Sequence, residues 1–253
     1  MKIVTVNTKG GASKSTVAYQ IGSAYMLNKG LDFKHFEIDD ENSDSKTFKK
    51  SAISTKQITI DNGDGLNETV RNLFLDNENF VLDIGGNKTT TLFLEALKKT
   101  RMYRKTDLYI IPSSGGSQDI LNMKKTYDLI KEFDENAKVL FALSRVRSMK
   151  RIKFQYSDFF KKFKNVDYIV LQDSDVVDLS RKMQKSIFEI VQDEDLRKEF
   201  ENSFNEALDN GNKENISLYS IMLEIIDDAH IFNEKYIVKS FDKIDEVLNN
   251  KEK

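Results

Sequence analysis

Within eight positions, Lys9-Gly10-Gly11-Ala12-Ser13-Lys14-Ser15-Thr16 sets two lysines, two glycines and three hydroxyl side chains directly behind the apolar run Ile3-Val4-Thr5-Val6. These residue types suit a phosphate cradle. Glycines let backbone N–H groups approach an anion with no Cβ in the way, and a helix opening at Lys14 adds the partial positive charge of its N-terminus. In such a loop Lys14 reaches the β and γ phosphates of a nucleotide, and the Ser15 hydroxyl ligates Mg2+. Ser13 stands where the common G-x-x-x-x-G-K-[ST] pattern has its second glycine. Serine disfavours positive φ, so the replacement is harmless only if φ at Ser13 is negative.

Two further strand-like runs end in acids: Phe33-Lys34-His35-Phe36-Glu37-Ile38-Asp39-Asp40-Glu41 and Phe80-Val81-Leu82-Asp83-Ile84-Gly85-Gly86. Ligands of open parallel sheets bind at the carboxyl ends of strands, so these acids are expected beside the phosphates.

The elements that must position these groups can be read from apolar patterning. Candidate strands are 2–7, 33–38, 57–60, 79–84, 107–112, 138–144 and 167–171, and helical patterns run over 14–29, 64–76, 88–104, 117–135, 149–164 and 175–191. Continuous runs such as Leu108-Tyr109-Ile110-Ile111 suit strands buried on both faces. The alternation of strands and helices implies an α/β fold, a doubly wound, mostly parallel sheet of the Rossmann-like kind. A helical C-terminal extension, 192–253, follows the core of about 1–191, and its one short strand candidate is Tyr236-Ile237-Val238. The 253 residues suit a single domain, 1–253.

Composition excludes several chemistries. The chain has no cysteine and only two histidines, His35 and His230, so thiol catalysis, a disulfide framework and a Cys/His metal site are ruled out. No signal peptide is visible after Met1, and no run approaches the roughly 18 apolar residues that span a bilayer. A cytoplasmic protein, with no membrane partner, is expected.

The loop with its additional Lys9, and Asn7 before it, resembles the deviant phosphate loop of the ParA/MinD family of ATPases, whose pattern is N-x-K-G-G-x-x-K-[ST]. The resemblance implies a P-loop NTPase fold, with ATP and Mg2+ as ligands and a homodimer that sandwiches ATP. Lys9 would cross the dimer interface to the partner's nucleotide, and Lys14 would hold its own. Gly10, Gly11, Ala12, Ser13, Ser15 and Thr16 complete the cradle. Asp39 aligns with the acid that activates the attacking water, or Asp40 does if the register slips by one. Asp83 looks like the acid that holds Mg2+ through water, so Ser15, Asp39 and Asp83 form the implied metal set. Gly85 or Gly86 would sense the γ-phosphate. The strand Thr106–Pro112, followed by Asp119 and a helix, is similar to the family's next strand. Arg145, Gln172 and Asp173 fall where relatives border the adenine.

Charge suggests what such a switch would control. Residues 145–164 carry eight Lys or Arg against the single acid Asp158, whereas 165–253 hold 11 basic and 21 acidic residues. Ile152, Tyr156, Phe159, Phe160 and Phe163 recur at helical spacing as a core face, leaving Arg147, Lys150, Arg151 and Lys153 to meet phosphate backbones. This favours ATP-dependent, nonspecific DNA binding in plasmid or chromosome partition, with a small DNA-binding adaptor resembling ParB as partner. No helix-turn-helix precedes the first strand, so operator reading is not expected. A TraL- or VirC-like conjugation ATPase, a MinD-like positioning ATPase and a non-hydrolysing nucleotide-binding scaffold are the alternatives.

Overall fold

A computed structural model describes residues 1–38, 48–58 and 64–250. Among the described residues, seven strands form one sheet in the order β3-β2-β4-β1-β5-β6-β7: β1 (Lys2–Thr5), β2 (Phe33–Ile38), β3 (Thr55–Gln57), β4 (Asn79–Ile84), β5 (Leu108–Ser113), β6 (Val139–Val146) and β7 (Tyr168–Gln172). Every pairing among them is parallel. The order reverses at β1, which lies between β4 and β5, so the carboxyl end of β1 is the crevice where such sheets bind ligands.

The apolar runs are explained by burial on two faces. Ile3, Val81, Leu108, Ile110 and Leu140 point to one core, and their neighbours Val4, Leu82, Tyr109, Ile111 and Phe141 point to the other. Successive side chains of a strand alternate faces, so a strand covered on both sides needs no polar position.

The helices are α1 (Lys14–Val17), α2 (Ala24–Asn28), α3 (Asp64–Leu75), α4 (Asn87–Thr100), α5 (Ser117–Phe133), α6 (Ile152–Gln155), α7 (Ser157–Lys162), α8 (Asp175–Met183), α9 (Ile187–Gln192), α10 (Glu194–Asp209), α11 (Lys213–Phe232) and α12 (Lys239–Asn249). A π-helical stretch, Ala18–Ser23, joins α1 to α2. Residues of α8, α9, α11 and α12 pack in the same core cluster as Ile3 and Val81, so the C-terminal extension covers the face that α1 covers.

Several boundaries differ from those the sequence suggests. The helix expected over 149–164 is broken at Tyr156, whose buried hydroxyl bonds Ser113 O at 2.9 Å and also Ser144 O. The helix expected over 175–191 is two, because Gln184 adopts φ 59° and Ser186 then caps α9 with Glu189. Arg101, at φ 60°, ends α4 before residue 104. Tyr236-Ile237-Val238 is not a strand but part of a π-helical segment, Asn233–Val238. The third strand in chain order, at the sheet's edge, is Thr55–Gln57; of the expected 57–60, residues 59 and 60 lie outside the described residues.

Candidate nucleotide-binding site

The loop between β1 and α1 is held from three directions. Asn7 spans the β1–β5 gap, its Nδ2 donating to Pro112 O at 2.6 Å while its Oδ1 accepts from Lys9 N at 3.0 Å. The amide of Thr8 donates to Thr126 Oγ1 of α5 at 3.0 Å. On the β4 side, Asn87 N donates to Thr8 O at 3.0 Å, and the Thr90 hydroxyl lies 2.6 Å from Gly85 O and 3.0 Å from Asn7 O. This packing requires glycine at Gly86, where a Cβ would stand 2.7 Å from both Cα and N of Gly10.

Gly11 and Ser13 both take left-handed backbone, with φ 73° and 65°. Alternation of this kind turns successive N–H groups toward one concavity and makes an anion nest. Positive φ at Ser13 means that the serine keeps a conformation that glycine would hold at no steric cost, a strain of roughly 1 kcal/mol.

Two cavities open along this loop. One, of about 450 Å³, is lined by Gly10, Gly11, Ser13, Lys14, Ser15, Thr16, Asp83, Gly85, Gly86 and Arg145 of the expected set, and also by Glu37, Asn87 and Arg181 among others. Lys14 is buried, with its ammonium 2.8 Å from Lys9 O. Glu37 and Asp83 are buried acids directly opposite each other in the β2–β4 register. A second cavity of about 280 Å³ adjoins it, lined by Ser13, Thr16, Gln20, Arg145, Gln172, Asp173, Arg181 and Phe232 among others. Phe232 ends α11, so the C-terminal extension supplies one wall, and Tyr236 bonds the Gln172 amide from the same direction. Arg145 sits at φ 52° in an irregular stretch of β6, where the pairing shifts between Leu143 and Val146.

Not every expected residue is in these cavities. Ala12 is buried and lines neither. Lys9 lies outside them, its ammonium ion-paired with Asp119 at the start of α5. Burial raises the Asp119 pKa, but hydrogen bonds from Lys9 and Ser114 outweigh it and hold the carboxyl below its usual range. Asp39 and Asp40 lie outside the described residues. Arg147, Lys150, Arg151 and Lys153 are exposed beside the broken helix, while Tyr156, Phe159 and Phe163 are buried. Sequence reading passed over Glu37, whose signal is its place near the end of β2, two positions before Asp39 in the sequence. Arg181, Asn87 and Phe232 carried no local signal.

Three solved structures share this architecture. McdA from Cyanthece, in its apo form, superposes with TM-score 0.55 over 77% of this chain and 94% of its own, at 10% identity. A Borrelia burgdorferi B31 protein named for plasmid partition, solved with AMPPNP bound, gives 0.52 over 88% and 97%, at 15% identity. The MinC:MinD cell division complex of Aquifex aeolicus gives 0.51 over 77% and 89%, at 15% identity. The fold is that of the ParA/MinD-type ATPases. At these identities the likeness is one of fold. No family model matches the sequence, and no curated protein matches it. Within the ParA/MinD-type fold, the loop of Lys9 to Thr16 occupies the sheet's switch point at the end of β1.

Proposed function

We propose that this chain is an ATP-dependent dimerising ATPase, a switch acting in plasmid or chromosome partition that holds DNA without sequence preference in its ATP-bound dimer. The observation that carries this reading is the division of labour between two lysines on one loop. Lys14 folds into the cradle, whereas Lys9 lies outside it on the α5 side. A second cation outside its own cleft is free to serve a neighbour's phosphates once Asp119 releases it.

The donor set suits Mg2+, which takes oxygen ligands: the Ser15 hydroxyl and the carboxylates of Glu37 and Asp83 line one cleft. Ser15, Asp83 and Asp39 would hold the ion. Bound there, it neutralises charge on the β- and γ-phosphate oxygens. The nest at Gly11 and Ser13 binds the phosphates, Lys14 moves from Lys9 O to their oxygens, and Asp39 orients the water. Lys9 stabilises the partner's triphosphate, so loss of the γ-phosphate loosens the dimer. Catalysis is positioning and electrostatics, and turnover is slow until an adaptor of the ParB kind acts. Core and C-terminal extension work as one cytoplasmic domain.

The basic surface supports DNA as cargo track. Phe154 is 84% exposed among Arg147, Lys150, Arg151 and Lys153, and an aromatic among cations suits nucleic acid. A MinD-like membrane anchor finds less support, because Phe241, Ile244 and Val247 of α12 are buried in the core. Among the described residues no helix is long and apolar enough to cross a membrane. A mobility-shift titration over salt concentration, with ATP, ADP or no nucleotide, tests the reading. DNA retained only with ATP, more weakly as salt rises, is the expected result. Equal retention in all three states would overturn it.

A further inference from the structure

The two cavities share four lining residues: Ser13, Thr16, Arg145 and Arg181. A nucleotide with its triphosphate in the loop and its base in the smaller cavity must pass through this seam. Connectivity then puts the α-phosphate and ribose between Arg145, from β6, and Arg181, from α8. Thr16 belongs to the phosphate loop's own helix; Arg181 belongs to no part of the loop.

Arg181 is held lightly where it stands. Its guanidinium lies 3.4 Å from Thr16 Oγ1, at the edge of hydrogen-bond range, and 3.6 Å from Asp178. Both members of that ion pair are half-exposed or more, and such i,i+3 surface pairs contribute little. The position of α8 is fixed by other groups. Gln20 of the π-helical stretch bonds Ser180 at 2.6 Å and Ile187 N at 2.8 Å, and Ser180 bonds Lys185 O at 2.6 Å. The backbone is thus pinned while the Arg181 side chain can exchange weak partners for a phosphate, for which a planar guanidinium is well matched.

We infer that Arg181 is a nucleotide-binding group that grips the α-phosphate from the C-terminal side of the site, with Arg145 opposite it. The assignment rests on the nucleotide reading above. It makes the site selective for nucleotides over bare polyphosphates, since pyrophosphate fills the loop without reaching the seam.

Calorimetric titration of wild type, Arg181→Ala and Arg181→Lys with ATP, ADP and pyrophosphate, each with Mg2+, tests it. Arg181→Ala is expected to bind ATP and ADP about tenfold more weakly, the effect of one charge-assisted hydrogen bond, and pyrophosphate as wild type does. Arg181→Lys should recover part of the loss. Matching thermal unfolding midpoints show that the variants are folded. Unchanged ATP affinity in Arg181→Ala, or equal losses for ATP and pyrophosphate, overturns the assignment alone. A wild type that takes up neither ATP nor ADP overturns the ATPase reading and this inference with it.

Discussion

Lys9 and Asp119, 110 positions apart in sequence, form an ion pair within one subunit, with the carboxylate only 5% exposed and the lysine side chain 38% exposed. If Lys9 works on a neighbouring nucleotide, this pair must open first, and it opposes dimer formation. Asp119→Asn keeps the shape and weakens the hold. A partly exposed pair is worth about 1 kcal/mol, and a dimer opens two of them, so the ATP-bound dimer should form at roughly thirtyfold lower protein concentration. Light scattering across a dilution series checks this; a midpoint equal to or higher than wild type would remove Asp119 as a restraint.

Ser13 is a site of residual strain. Ser13→Gly relieves the left-handed serine but loosens the unfolded chain, so a net gain of about 0.5 kcal/mol is expected in urea unfolding. Ser13→Val, β-branched at positive φ, should lose about 1 kcal/mol or more. A valine variant as stable as wild type would mean that the loop takes another backbone in solution.

Gly86→Ala tests the clasp between β4 and the phosphate loop. Its φ of −76° is ordinary, so any cost comes from the clash with Gly10. Loss of about 2 kcal/mol, together with weaker nucleotide binding, is expected from forcing two backbones apart. Unchanged ATP affinity would show that the loop gives way without consequence.

His35 should set part of the acid limit of stability. It is buried, with Ser23 Oγ 2.8 Å from Nδ1, and burial pushes its pKa down to about 4. The unfolded chain has an ordinary imidazole near 6.5, so between these values only the unfolded state binds the proton. Stability from this group is complete above pH 6.5 and is lost as pH falls toward 4, by about 3 kcal/mol in all. Urea unfolding of wild type and His35→Gln at pH 7, 6, 5 and 4 should show a steeper decline in wild type. Parallel declines would assign the acid sensitivity elsewhere.

The sheet was legible because burial on both faces writes itself as unbroken apolar runs, as in β5. Helix ends were less so. Gln184 and Arg101 adopt positive φ as left-handed helix C-caps with no glycine to mark them, and the helix breaks at Tyr156, whose buried hydroxyl bonds Ser113 O and Ser144 O, 43 and 12 positions away. In the site, local patterns marked Lys14, Ser15 and Asp83. Arg181 and Phe232 came into view only when folding brought α8 and α11 to the loop. Likewise, no spacing rule could pair Lys9 with Asp119.

Sedimentation velocity of wild type and Lys9→Ala, each with ATP, ADP or no nucleotide and Mg2+ throughout, is the most direct test of the two-lysine switch. Wild type should shift from monomer to dimer with ATP alone, and Lys9→Ala should bind ATP yet stay monomeric. A wild type that remains monomeric with bound ATP, or a Lys9→Ala protein that dimerises as readily, would contradict the account.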